Sequence, residues 1–269
     1  MGVHYLIIGA SQHNALARLL GGSDRKERRP ATARFHSAAY LWLIGSASGH
    51  MNPENHTAEC LELMQTLIEY RQAKTLHHRL MKAAAVSMLG IDALIMIHHF
   101  ARLCEGDILE IGSFLGGSTI AAGLGVRDSG QEKKIISVEP GGRLKNHHLA
   151  SKDIFKDLKK NLARADLLDS VTLINGRSFE PATIEAVREA TTLGGIGLFI
   201  FDADANVRRD LDCYGDRLAN QSWVVIDDYF SESDKGGPTR AQVDELVAAG
   251  KLVTLGFYGW GTWVGRWLA

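Results

Sequence analysis

Residues 107–119 read DILEIGSFLGGST. The first five are a short, mostly apolar run and are expected to form a buried strand. Gly112, Gly116 and Gly117 follow at a spacing that lets the backbone turn sharply and approach a ligand closely. The stretch from Gly117 to Leu124 opens a helix, whose first N–H groups lack intrahelical partners and suit an anion. The spacing G-x-x-x-G-G is neither GxGxxG nor a phosphate loop, because no Gly-Lys-Ser/Thr follows. A tight strand-to-helix turn without a ligand accounts for the same glycines. The stretch therefore decides architecture before it decides chemistry.

Downstream, short apolar runs keep alternating with amphipathic segments, which is the signature of βαβ units and a parallel sheet. Strands are expected at KIISV (134–138), VTLI (171–174), GLFIF (197–201) and WVVI (223–226). Between them, Ile154, Leu158 and Leu162 stripe one helix. Pro181 starts another that contains Ile184 and Val187. Val207, Leu211, Tyr214 and Leu218 stripe the next, and a last one from Pro238 carries Val243, Leu246 and Val247. KLVTLGFY and GTWVGRWL then read as a hairpin around Gly259–Gly261. The expected fold is α/β, a doubly wound and mostly parallel sheet of seven strands over residues 106–269. Upstream, Leu61, Met64, Leu67 and Ile68, then Leu80, Ala84, Met88, Ile91 and Ile95, recur at helical spacing. Residues 53–105 are therefore expected to form two or three helices, serving as a cap or a dimer surface. Residues 1–52 read as an extension of uncertain structure, and its DRKERRP run (24–30) as a solvated loop.

A chain of 269 residues can bury a sizeable core. A net charge of −1 creates no field for polyanions, so nucleic acid is not an expected partner. The three cysteines, Cys60, Cys104 and Cys213, lack CxxC spacing, which disfavours a zinc site or disulfide framework and fits a reducing, cytoplasmic setting. The apolar stretch in MGVHYLIIGASQ lacks a basic leader and is too short for a signal peptide. Lys82, Ser87, Gly90 and Asp92 interrupt the apolar stretch 80–97, which suits a buried helix rather than a membrane span.

Acids close three of the expected strands. Glu139, ending ISVEP, is placed to accept ribose hydroxyls, although a surface acid before a proline turn reads the same. GLFIF runs into Asp202 and Asp204, and WVVI into Asp227 and Asp228. In open α/β sheets ligands bind outside the carboxyl ends of the strands. Four carboxylates converging there repel one another unless a cation is present, and hard oxygen ligands suit Mg²⁺. Each aspartate alone has a plainer reading: Asp204 as a helix cap, Asp228 as a turn residue.

At these residues the chain resembles the class I S-adenosylmethionine-dependent methyltransferases. EIGSFLGGS is similar to their first motif, VEP to the acidic end of their second strand, and VTLINGRS to the segment whose serine lies near the adenine. The resemblance implies a Rossmann-like core, with cofactor contacts at Glu110, Gly112, Ser113, Phe114, Gly116, Ser118, Glu139, Ser178 and Asp202. FDAD and IDDY look like the metal-dependent O-methyltransferases, most closely those acting on sugars of macrolide and aminocoumarin antibiotics. Carried over, Asp202, Asp227 and Asp228 hold Mg²⁺ and Asp204 is the general base. Catechol-type enzymes have Asn at the position of Asp228 and a catalytic Lys near Ala205, which this chain lacks.

The implied activity is methyl transfer from S-adenosylmethionine, with S-adenosylhomocysteine as product, to a hydroxyl of a small molecule such as a natural product, sugar or phenol. The expected assembly is a homodimer or higher homo-oligomer. Other sulfonium chemistry on the same fold, or a non-catalytic nucleoside-binding subunit, remain as alternatives. His98 and His99 are expected to pack or to face solvent, and His147 and His148 to lie near the sheet edge. Trp260, Trp263 and Trp267 are expected in core or interface, and Tyr229 and Phe230 as pocket wall or core.

Overall fold

The computed structural model describes residues 52–269. The readings of MGVHYLIIGASQ and DRKERRP lie outside these residues. Three helices come first: α1 (Pro53–Gln72), α2 (Lys74–Ala84) and α3 (Ile91–Leu103). They lead into an alternating series: β1 (Asp107–Ile111), α4 (Gly117–Ser129), β2 (Ile135–Val138), α5 (Ile154–Arg164), β3 (Val171–Ile174), α6 (Pro181–Ala190), β4 (Ile196–Phe201), α7 (Val207–Tyr214), β5 (Leu218–Ile226) and α8 (Gly236–Ala248). The hairpin β6 (Leu252–Tyr258) and β7 (Thr262–Trp267) closes the chain.

The strands form one seven-stranded sheet in the order β3-β2-β1-β4-β5-β7-β6. β1 to β5 are parallel, and β7 inserts antiparallel between β5 and β6. Every residue of β4 is buried, as expected of a strand covered on both faces. One face packs on α3, α4 and α5 through Phe100, Ala121 and Leu158; the other packs on α6, α7 and α8 through Val187, Leu211 and Val243. Chain order reverses between β1 and β4, the point where such sheets bind ligands.

One boundary and one helix face differ from expectation. Leu218 does not continue the stripe of α7; it opens β5 and pairs with Ile196. Gly215 follows the last residue of α7, and a single tight turn there redirects the chain. In α1 the helical period is as read, but the buried face is a different one. Leu61, Met64 and Ile68 are exposed, whereas Leu63 and Thr66 are buried. The deciding contact is long-range. Glu59 accepts from Arg266 Nε at 3.0 Å and Nη2 at 2.6 Å, and the Arg266 guanidinium lies 3.0 Å from the Trp223 ring centroid. Trp223 in turn stacks on Phe100 at 4.1 Å. This mostly buried ion pair sets the rotation of α1 on the sheet.

The stretch 80–97 is two helices, α2 and α3, separated at residues 85–90. No helix among the described residues is long and apolar enough to cross a membrane. The 85–90 segment lies against the carboxyl edge of the sheet. A Cβ on Gly117 would stand 2.2 Å from Ser87 Cβ, and one on Gly90 would stand 3.0 Å from Gly259 Cα.

Candidate active site

The glycine turn after β1 is built around close approach. Gly112 has φ +90°, and a Cβ there would sit 1.9 Å from the carbonyl oxygen of Asp202. The first turn and the end of β4 are thus in backbone contact, which only glycine permits. Phe114 adopts φ 49°, in the left-handed region. Gly116 precedes α4 without any side-chain cap, so the first N–H groups of that helix are open to a ligand.

Below the turn, Glu110 is fully buried inside a cage of hydroxyls. It accepts from Thr119 Oγ1 at 2.6 Å and Ser137 Oγ at 2.8 Å, and Ser113 bonds to Ser137. Burial pushes its carboxyl above the ordinary range, against the pull of the Ser118, Thr119, Ser137 and Ser113 hydroxyls. Its Oε1 is buried without a protein partner. Glu139, at the end of β2, accepts from the Phe114 N–H at 2.7 Å and the Gly141 N–H at 2.8 Å. Burial raises its pKa and those two backbone bonds oppose the rise. A buried acceptor in want of a donor, a second carboxylate and a free helix terminus together fit a nucleoside bearing an ammonium and a carboxylate.

Ser178 is buried after β3 and wired into α7. Tyr214 donates its hydroxyl to the Ser178 carbonyl, and Arg209 Nη2 lies 3.4 Å from Ser178 Oγ.

The carboxylates of Asp202, Asp227 and Asp228 converge, each offering an oxygen within 4.8 Å of the others. β4 and β5 are adjacent and in register, Phe201 opposite Ile226, so the residues that follow them meet. Asp228 reaches the cluster with φ 63°. Asp227 Oδ1 accepts the Thr262 hydroxyl at 2.6 Å, and Lys235 Nζ lies 3.3 Å from Asp228 Oδ2. Burial and then the Asp227 charge hold the Asp202 carboxyl well above its usual value. Burial also raises Asp227, while the Thr262 bond lowers it. Three hard oxygen donors under mutual repulsion fit a divalent cation.

Asp204 stands outside this cluster. Its Oδ1 accepts from the Asn206 N–H at 3.0 Å, and Arg209 holds both oxygens, at 2.8 and 3.0 Å. Burial raises its pKa, but the Arg209 and Asn206 bonds outweigh that and leave it below the ordinary value. It does not cap α7, whose N-cap residue is Asn206.

The histidines lie apart from these groups. His98 and His99 are buried on α3, with His98 Nε2 2.9 Å from Asp128 Oδ2. His147 and His148 are exposed and rest against each other at 4.2 Å. Thr262, Lys235 and Arg209 had no signal in the sequence, because each reaches the site through pairing or folding of distant elements. Trp263 and Trp267 are in the core, whereas Trp260 is 84% exposed at the hairpin turn.

Residues 109–229 match a family model described as a methyltransferase domain. No curated protein matches the chain. Among solved structures, the chain is similar to the O-methyltransferase TomG of Streptomyces achromogenes, a protein involved in tomaymycin synthesis and solved with S-adenosylmethionine. The identity is 15%, the match covers 68% of this chain and 82% of that one, and the TM-score is 0.52. It is similar to the O-methyltransferase NovP at 17% identity, covering 68% and 83%, with TM-score 0.50. It is also similar to the S-adenosylhomocysteine-bound methyltransferase PaMTH1 of Podospora anserina at 18% identity, covering 84% and 100%, with TM-score 0.50. At these identities the structural matches establish the fold.

Proposed function

We propose that the protein is a Mg²⁺-dependent S-adenosylmethionine O-methyltransferase acting on a hydroxyl of a small natural-product, sugar or phenolic acceptor, a reading supported by the match of residues 109–229 to a methyltransferase-domain model. The observation that carries this reading is the convergence of Asp202, Asp227 and Asp228 beside the glycine turn. When bound, the sulfonium cofactor supplies an electrophilic methyl group, and Mg²⁺ supplies charge that acidifies a nearby hydroxyl.

The protein's part is mainly positioning. Gly112 to Ser118, Glu139 and Ser178 would hold the nucleoside, and the free Oε1 of Glu110 is the acceptor left for one of the cofactor's donors. Asp202, Asp227 and Asp228 would hold the ion, with Thr262 orienting Asp227. Asp204 is the proposed general base. The Arg209 fork fixes its direction and, by lowering its pKa, also weakens it as a base, so proton transfer to it calls for a hydroxyl whose own pKa is lowered. The products are the methyl ether, S-adenosylhomocysteine and a proton, which Asp204 receives.

Calorimetric titration of S-adenosylmethionine and S-adenosylhomocysteine, with and without Mg²⁺, tests the reading on wild type and on Asp227→Ala/Asp228→Ala. The expected result is nucleoside binding in both proteins and a Mg²⁺ signal that disappears in the variant. Nucleoside binding without a Mg²⁺ signal in wild type would remove the metal from the reaction. Asp204→Asn is expected to bind both ligands and lose turnover on any acceptor found; normal turnover would remove Asp204 from the base role.

A further inference from the structure

The turn between β6 and β7 lies at the same sheet edge as the acids, since Ile226 pairs with Trp263 and Tyr258 with Thr262. Aromatic rings gather there. Tyr229 and Phe230 follow Asp228 directly, and both meet Phe257: Tyr229–Phe230, Tyr229–Phe257 and Phe230–Phe257 ring centroids are 4.8, 4.9 and 4.8 Å apart. Phe230 is 47% exposed, Phe257 44% and Trp260 84%. Phe230 and Phe257 are in ring contact, so their exposed faces form one apolar surface available to a ligand.

The shelf is held rigidly. Tyr229 donates its hydroxyl to Asp244 Oδ1 at 2.7 Å, and the Phe230 N–H reaches the Gly261 carbonyl at 3.3 Å. A Cβ on Gly261 would lie 2.6 Å from Phe230 Cβ, so the hairpin turn seats directly on that residue. Arg240, one turn into α8, caps the shelf. Its guanidinium is 5.0 Å from the Phe230 ring centroid and 5.5 Å from that of Tyr229. Its Nε donates to the Tyr229 carbonyl at 3.2 Å, and Arg240 forms no ion pair among the described residues. The fork of Nη donors is free beside an aromatic face, within reach of the segment that carries Asp227 and Asp228.

We propose that Phe230, Phe257 and Trp260 form the acceptor shelf, and that the acceptor is a hydroxylated aromatic ring bearing a carboxylate. The ring lies on the aromatic side chains, the carboxylate meets Arg240, and the hydroxyl is turned toward the acidic cluster. The assignment rests on the methyltransferase reading of that cluster. Phe230 and Phe257 offer offset or edge contacts to a planar ring, and the Arg240 guanidinium beside them, rather than the rings alone, favours an aromatic acid over a neutral sugar. The guanidinium supplies a cation over the ring and a two-pronged partner for the carboxylate.

The test is methyl transfer in the presence of S-adenosylmethionine and Mg²⁺ to three probes: 3,4-dihydroxyphenylacetate, its primary amide, and a non-aromatic cyclic vicinal diol. Wild type is expected to prefer the acid to the amide about threefold to tenfold in kcat/KM, the scale of one partly exposed charge contact. Arg240→Gln should bring that ratio to about one, mainly through KM. Phe230→Leu should raise KM for acid and amide alike, about threefold to tenfold, as expected for losing a ring contact. Equal use of acid and amide by wild type, or a preference that survives Arg240→Gln, would overturn the proposal. Methylation of the diol with neither aromatic accepted would overturn the shelf and leave the O-methyltransferase reading standing. If none of the probes is methylated while calorimetry detects S-adenosylmethionine and Mg²⁺, the same instrument is used to titrate the acid into protein saturated with S-adenosylhomocysteine and Mg²⁺. Binding that Arg240→Gln weakens supports the shelf, and its absence overturns it. A dimer in solution that Trp260→Leu converts to monomer would make the shelf a subunit interface, and would overturn the proposal as well.

Discussion

Thr262, the first residue of β7, donates its hydroxyl to Oδ1 of Asp227 at 2.6 Å, tying an antiparallel strand to an acid at the end of β5. The bond holds one oxygen of Asp227 and so restricts rotation of a carboxylate that stands beside Asp202 and Asp228. Thr262→Val keeps the shape and removes the donor. We expect the Mg²⁺ dissociation constant to rise about tenfold, the low end for the loss of a partner to a metal ligand. Calorimetric Mg²⁺ titration reads it, and an unchanged constant would mean that Asp227 is oriented by other contacts.

Gly112→Ala places a Cβ against the carbonyl of Asp202 and forces a side chain into φ +90°. Left-handed strain alone costs about 1–3 kcal/mol, before the contact with β4 is relieved. The expected outcome is a lower Tm together with weakened S-adenosylmethionine binding, since the same backbone serves both. A variant with wild-type Tm and affinity would show that the turn tolerates a side chain.

Arg209 is shared between Asp204 and the buried Asp210. Asp210 is 0% exposed; its Oδ2 accepts from Arg209 Nη2 at 2.5 Å, and its Oδ1 has no partner. Arg209→Met would strand that carboxylate. A fully buried partner loss costs about 3–5 kcal/mol. Because the Arg209 side chain keeps 29% of its surface in solvent, we expect a smaller loss, about 2 kcal/mol. Adding Asp210→Asn should return at least about 1 kcal/mol of it, a coupling that denaturant unfolding of the double-mutant cycle measures. Strict additivity would show the pair to be independent.

Burial, then the Arg102 charge, lowers the pKa of His99 to about 3, and burial also lowers His98. His99 therefore stays neutral in the folded protein well below neutral pH, while the same side chain in the unfolded chain takes up a proton near pH 6.5. The unfolded state binds more protons below that value, so stability falls as pH drops through 6.5 and keeps falling toward the folded pKa. Between pH 7 and 5.5, His99 alone should remove about 1 kcal/mol. Denaturant unfolding at the two pH values reads the loss, and His99→Leu should reduce it. An equal loss in the variant would place the effect elsewhere.

Local order was legible because it is periodic. Short apolar runs and 3.6-residue stripes located the seven strands and the helices between them, and the demand for a sharp turn marked Gly112 and Gly116. The sequence by itself also determined that Asp202, Asp204, Asp227 and Asp228 stand past strand ends, where an α/β sheet binds ligands. Only tertiary structure decided which of them meet. The adjacency of β4 and β5 brings Asp202 to Asp227 and Asp228, while the return of α7 hands Asp204 to Arg209. The buried face of α1 waited on the pairing of Glu59 with Arg266, 207 residues away. The donor from Thr262 and the shelf at Phe257 and Trp260 waited on the insertion of β7 beside β5. Side-chain periodicity is set by neighbouring backbone and can be read along the chain. Register and strand order are set by burial and pairing between distant segments, which no local pattern carries.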